Sequence, residues 1–200
     1  PEGTDNTLTF TENTVYSFTS ADFGYSDPDD TPSNAFQSVL VTTLPALGTL
    51  SLAAGASAPG PVLPGQTIAL SDISFLRYTP PANANGVGYT SFTFQVVDDG
   101  GTALGGINTD QSANTITFNI DPVNSAPHGT DNTVTTNEDI AYVFSAADFG
   151  FNDADDTPAD VLQSVIITTI PATGALSLAA GASSPGPVIA GQEISASDLA

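Results

Sequence analysis

SFTFQVVDD (Ser91–Asp99) and TITFNID (Thr115–Asp121) set the fold class. In the first, Phe92, Phe94 and Val96 alternate with Thr93, Gln95 and Val97. In the second, Ile116, Phe118 and Ile120 alternate with Thr115, Thr117, Asn119 and Asp121. This is the period of a strand with one buried face, because successive side chains leave a pleated sheet on opposite sides. Thr on the other phase suits a solvent-facing surface. Leu8 and Phe10 alternate in the same way with Thr7, Thr9 and Thr11, and shorter runs follow at Tyr16–Phe18, Val39–Leu44, Thr49–Leu52, Thr67–Leu70 and Ser74–Tyr78. Gly and Pro punctuate between them at Pro45, Gly48, Gly60, Gly65, Pro80 and Gly100. No run of ten residues reads as helix; Ala21–Phe23 and Ser71–Ile73 read as single turns. Seven or eight short strands in this span predict an all-β, antiparallel β-sandwich, with Tyr16, Tyr78, Tyr89 and most Phe on the inward phase.

The chain repeats itself. GTDNT occurs at Gly3–Thr7 and Gly129–Thr133, ADFG at Ala21 and Ala147, and LSLAAGAS at Leu50 and Leu176. Every pair is offset by 126 residues. Residues 1–74 and 127–200 align without a gap and are identical at 44 of 74 positions. That period is too long for a solenoid unit and suits a whole domain. The expectation is two tandem sandwich repeats: 1–126 complete, and 127–200 the N-terminal part of a second copy. The second copy has no counterpart of 75–126. It is expected to be completed from elsewhere, by a continuing chain or by a neighbouring molecule adding strands in a filament. Pro1 likewise reads as a cut within a longer chain.

Composition narrows the function classes. There are 22 acidic residues against one basic residue, Arg77, and the formal net charge is −21. Nucleic acid is excluded as a partner, because nothing on such a surface displaces counterions from phosphates. Direct membrane insertion is not expected either, since no apolar run reaches the 18 or so residues of a spanning helix. Yet 40% of residues are hydrophobic and 11 Phe and 5 Tyr are available for a core, so the chain should fold. With no Cys and one His, His128, thiolate chemistry and His-rich metal sites are absent. No nucleophile elbow, HExxH motif or phosphate loop is present, so no catalytic activity is expected.

NSAP (Asn124–Pro127) follows a strand ending in DP and leads into GTDNTVTTNED. A DADD run, a YTPPANANG stretch (Tyr78–Gly86) and a strand ending in DDGG complete the set. In this order the motifs resemble the cadherin-like, immunoglobulin-like tandem repeats of large bacterial surface adhesins exported by type I secretion. The resemblance covers the whole chain. It implies an extracellular, cell-surface spacer or adhesion protein whose partners are neighbouring repeats of the same chain. It also implies calcium shared at the domain junctions. Carried over residue by residue, Asp99 would lie at the base of the first domain, Asp121 and Asn124 in the linker, and Glu138, Asp153 and Asp155 at the top of the second. Glu12, Asp27, Asp29 and Asp30 are the equivalent positions of the first copy. One departure stands out: the family linker carries Asn-Asp before Ala-Pro, whereas this one reads Asn124-Ser125.

Electrostatics points the same way. Two carboxylates 4 Å apart repel by about 1 kcal/mol in water and about 4 kcal/mol at an effective dielectric of 20. A chain without Lys has little of its own to offset clustered acids. Calcium, which takes six to eight oxygen ligands in flexible geometry, can do so. The same Asp residues are also ordinary turn formers, capping local N–H groups. The second functional reading is a carbohydrate-binding module for cell-surface glycans, which would need an exposed aromatic pair on one sheet face.

Overall fold

The computed structural model describes residues 1–199. The chain is all-β, and its only helical segments among the described residues are short 3-10 turns, the longest being Leu70–Phe75. Contacts divide it into two units, Pro1–Val123 and Asn124–Ala200.

The first unit holds nine strands: β1 (Asn6–Thr11), β2 (Tyr16–Ser17), β3 (Phe36–Val41), β4 (Thr49–Leu52), β5 (Gly60–Pro61), β6 (Thr67–Ala69), β7 (Leu76–Thr79), β8 (Gly86–Asp98) and β9 (Asn114–Asp121). One sheet runs β1-β9-β8-β3-β6 and the other β2-β7-β4-β5. Both sheets feed one core, in which Val39, Phe92, Phe94, Val96, Ile116 and Phe118 from the first meet Leu50, Leu76 and Tyr78 from the second. The inward phase read from β8 and β9 is the buried phase. One pair departs from the antiparallel expectation. β1 lies parallel to β9, from Asn6 opposite Ile116 to Thr11 opposite Asp121. The alternation of Leu8 and Phe10 fixes which face β1 buries, but it carries no information about strand direction.

The repeated motifs earn their recurrence by touching each other. Asn6 of GTDNT donates from Nδ2 to the Asp22 carbonyl of ADFG at 3.0 Å, and Asn132 does the same to Asp148 at 3.2 Å. Asp22 Oδ2 accepts the Thr19 N–H at 2.7 Å, capping the Ser20–Phe23 turn, and Asp148 caps its own turn through Ser145 at 2.7 Å. Burial and the neighbouring Asp22 carboxylate push the Tyr16 phenol up to about 12, so it stays a neutral donor. Because these contacts are local, they form in both units.

The second unit keeps only part of the framework: β10 (Ser164–Ile167) pairs with β13 (Gln192–Ser195), and β11 (Ser177–Leu178) with β12 (Gly186–Pro187). Its small core gathers Val188, Ile194 and Leu199.

Gly48 offers an internal comparison. Its φ is +74°, and a Cβ there would meet Tyr78 Oη at 2.6 Å and the Thr79 carbonyl at 2.7 Å. Its counterpart Gly174 has φ +81° with nothing within 4 Å. Gly48→Ala is expected to cost more than about 1 kcal/mol, from left-handed strain plus displacement of β7. Gly174→Ala carries only the strain. Equal costs by thermal unfolding would contradict the packing at Gly48.

Candidate metal centre

The first unit gathers three carboxylates at one end of its larger sheet. Asp27 follows a backbone bridge in which Glu2 and Ser26 exchange N–H···O bonds of 2.8 and 2.9 Å. Its Oδ2 accepts the Asn34 N–H at 2.6 Å, closing an eight-residue loop. Asp98 is the last residue of β8, 1% exposed, and its Oδ1 accepts the Gly100 N–H at 2.8 Å. Asp30, exposed, accepts the Asn34 side-chain amide at 2.9 Å. Ligand oxygens of Asp27, Asp30 and Asp98 lie within 4.8 Å of one another.

Two of these oxygens are buried without a hydrogen bond: Asp27 Oδ1 and Asp98 Oδ2. The Pro1 nitrogen lies 3.3 Å from Asp27 and 3.7 Å from Asp98. Tyr25 feels their field. Burial first, and then these acids, push its phenol up to about 12, and it donates to the Asn34 carbonyl at 2.7 Å.

The second unit rebuilds the loop from its own sequence. Asp153, 4% exposed, accepts the Asp160 N–H on Oδ2 at 2.6 Å, matching the Asp27–Asn34 bond. Its Oδ1 is again buried and unpartnered. Both oxygens of Asp156 accept the Ser125 N–H, at 3.0 and 3.1 Å. Asp153, Asp156 and Asp160 present ligand oxygens within 4.8 Å of one another.

The remaining candidates go elsewhere. Asp99, next to Asp98 but on the outward phase, staples its loop to residue 35: Oδ1 accepts the Ala35 N–H at 2.8 Å, and its N–H donates to the Ala35 carbonyl at 3.1 Å. Asp29 is exposed and outside the cluster. Asp155 sits 3.4 Å from His128 Nε2. Glu138 and Asn124 are exposed, the latter bonding only its neighbour's carbonyl, Ser125, at 3.1 Å.

Register corrects the expected grouping within the first unit. β8 ends at Asp98 near the start of β9, with Phe94 opposite Asn114 and Gly86 opposite Ile120. Asp121 therefore lies at the other end of the sheet from Asp98 and Asp99, roughly 35 Å away along the strands. Glu12 lies with Asp121. It is 2% exposed, and its oxygens are already used, Oε1 by the Val123 N–H at 3.0 Å and Oε2 by the Asn85 amide at 2.8 Å. Glu12 thus serves as an internal cap tying the end of β9 to β1, apart from Asp27 and Asp30.

Asp98, Asp156 and Asp160, next to or near the carried-over Asp99, Asp155 and Asp153, complete the two acidic groups. Strand parity points to Asp98, which shares the phase of Phe92, Phe94 and Val96. The change from Asn34 to Asp160 adds a carboxylate beside an otherwise repeated DxDDTP loop.

No family model matches the chain, and no curated protein or solved structure is significantly similar to it.

Proposed function

We propose that the chain comprises tandem β-sandwich repeats of a long extracellular bacterial adhesin or surface filament, serving as a non-catalytic spacer, with calcium held in an acidic loop at one end of each repeat. One observation carries the metal reading: the same loop in both units leaves a buried carboxylate oxygen without a hydrogen bond, on Asp27 in one and on Asp153 in the other. An unpaired buried charge is costly, and a hard dication is the partner that oxygen ligands of this kind accept. The ligands would be Asp27, Asp30 and Asp98 in the first unit and Asp153, Asp156 and Asp160 in the second. The spacer role is supported by the tandem repetition, with 44 of 74 aligned positions identical, and by the resemblance of its motifs. The glycan-binding alternative loses its main support, because none of the Phe or Tyr residues is exposed among the described residues. The exposed large apolar side chains are Val, Leu and Ile.

Calorimetry of the 200-residue chain in 10 mM calcium and in chelator tests the reading. Affinity in the range of extracellular modules, about 10⁻⁴–10⁻³ M, is expected. At a hundred times Kd, stabilisation of about 2.7 kcal/mol follows by mass action. Asp98→Asn should remove the calcium response of the first unit while leaving the metal-free chain at least as stable, since it relieves repulsion against Asp27 and keeps an acceptor for Gly100. Superimposable transitions with calcium and chelator would falsify the metal reading and leave the loops as turn formers.

A further inference from the structure

Asn85–Gly86 is the only Asn-Gly pair in the chain. Such a pair is chemically labile, because glycine has no Cβ to hinder attack by its nitrogen on the preceding side-chain amide. The surroundings leave that attack room. Gly86 opens β8 with φ +140°, and a Cβ placed there would meet only Tyr89 Cδ2, at 4.0 Å. The pairing of β8 with β9 shifts register between Gly86 and Thr90, so the ladder does not run evenly past this peptide. Val87, the next residue, is 91% exposed. Asn85 itself is half-buried, and its Nδ2 donates to Glu12 Oε2 at 2.8 Å.

That bond belongs to a clasp at this end of the sheet. Glu12 is buried, and its Oε1 accepts the Val123 N–H at 3.0 Å. The stretch leading to Asn85 is held on the turn after β1 by a second pair. Asn13 Nδ2 donates to Asn83 Oδ1 at 3.1 Å, and Asn83 N–H donates to Asn13 Oδ1 at 2.9 Å. The clasp depends on Asn85 being neutral. An amide donates to the Glu12 carboxylate, whereas an ionised carboxylate in its place has no hydrogen to give. Two carboxylates at hydrogen-bond distance also repel far more strongly in partly buried surroundings than in water.

We propose that Asn85 is a deamidation site, and that its conversion releases the Glu12 clasp irreversibly. The Gly86 nitrogen gives its proton to base and bonds to Asn85 Cγ. The Cγ–Nδ2 bond breaks, ammonia leaves and a five-membered succinimide remains. Water then adds to one of the two ring carbonyls and opens the ring, giving aspartate or isoaspartate. In the closed clasp the Glu12 bond holds the amide that must leave, so the reaction runs from chains in which this end has opened locally. The product carboxylate then faces Glu12 and favours the open form. Asn85 lies at the Asp121 end of the sheet, with Gly86 opposite Ile120, and so acts apart from the Asp27, Asp30 and Asp98 group.

The test incubates the 200-residue chain in mildly alkaline and mildly acidic buffer and maps aspartate and isoaspartate at each Asn by mass spectrometry. Asn83–Ala84 and Asn124–Ser125 are internal references. Asn85 should convert at least about ten times faster than either in alkaline buffer, and more slowly in acid, where less of the nitrogen is deprotonated. Asn85→Asp sets the charge of the product directly. In chelator it should lower the Tm of the first unit by about 5–15 °C. The same change should cost clearly less in a Glu12→Gln background, where an amide and a carboxylate again face each other across the contact with their places exchanged. Conversion at Asn85 no faster than at Asn83 overturns the proposal. So does an Asn85→Asp chain that melts with its parent, or an equal cost in both backgrounds, since Glu12 would then not feel the new charge.

Discussion

Phe118→Ala should be the most damaging single change in the first unit, lowering stability by about 3–5 kcal/mol. The Phe118 ring is fully buried and lies at the meeting point of the two sheets. From β9 it stacks on Tyr78 of β7 at 3.9 Å with the planes 10° apart, and on Phe92 at 5.9 Å. Phe10 and Phe18 approach it edge-on at 6.0 and 6.2 Å. Truncation removes the transfer energy of the ring and leaves a cavity among four aromatic neighbours, which cannot collapse independently. In a unit of this size the loss corresponds to a fall in Tm on the order of 10–20 °C. The control is Phe75→Ala, which removes a ring that is only partly buried at the rim of the same core. A fall of less than about 5 °C for Phe118→Ala, or one no larger than for Phe75→Ala, would show that the inter-sheet aromatic stack does not hold the unit together.

What the sequence made legible is what depends on neighbours along the chain. The alternation at Phe92–Val97 and Ile116–Ile120 gave the strands and their buried faces, and Gly and Pro gave the breaks. The acidic loops also form locally, each closed by a bond across seven residues. What stayed hidden depends on long-range partners. The parallel pairing of β1 with β9 joins residues 110 apart, and nothing in either strand encodes the direction of the other. The shift from Asp99 to Asp98 is different, because the signal was present. Continuing the β8 alternation by one step buries Asp98 and exposes Asp99, so parity alone separates the clustered carboxylate from the one that staples its loop. Glu12 misleads for the opposite reason. A buried acid near a domain end looks like a ligand until its oxygens are seen to be taken by Val123 and Asn85. The unit 127–199 shows the limit of local reading most directly, since TDNTVTTN has the composition of a strand and no strand beside it.

Replacing Asp110 should destabilise the first unit in a pH-dependent way. Asp110 is 4% exposed, and its carboxylate collects four hydrogen bonds. Oδ2 accepts Gly3 N–H at 2.9 Å and Asn114 Nδ2 at 2.7 Å, and Oδ1 accepts Ser112 N–H at 2.9 Å and Ser112 Oγ at 3.1 Å. The Gly3 bond spans 107 residues and holds Gly3 beside the start of β9. Asp110→Ala leaves buried donors unsatisfied and should cost about 2–4 kcal/mol. The effect has a pH signature. Burial raises the Asp110 pKa, but the bonds from Ser112, Gly3 and Asn114 outweigh it, and the folded value lies below the ordinary carboxylate. A lowered folded pKa means that the stabilisation is present above the unfolded value, near 4, and is lost as pH falls through the folded value. Asp110→Asn, which cannot titrate, should therefore be clearly less stable than the parent at pH 7 and approach it as pH drops below about 4. Denaturant midpoints at a series of pH values measure the gap. A difference that stays constant from pH 7 down to pH 2 would mean that the carboxylate's charge contributes nothing and the loss is steric.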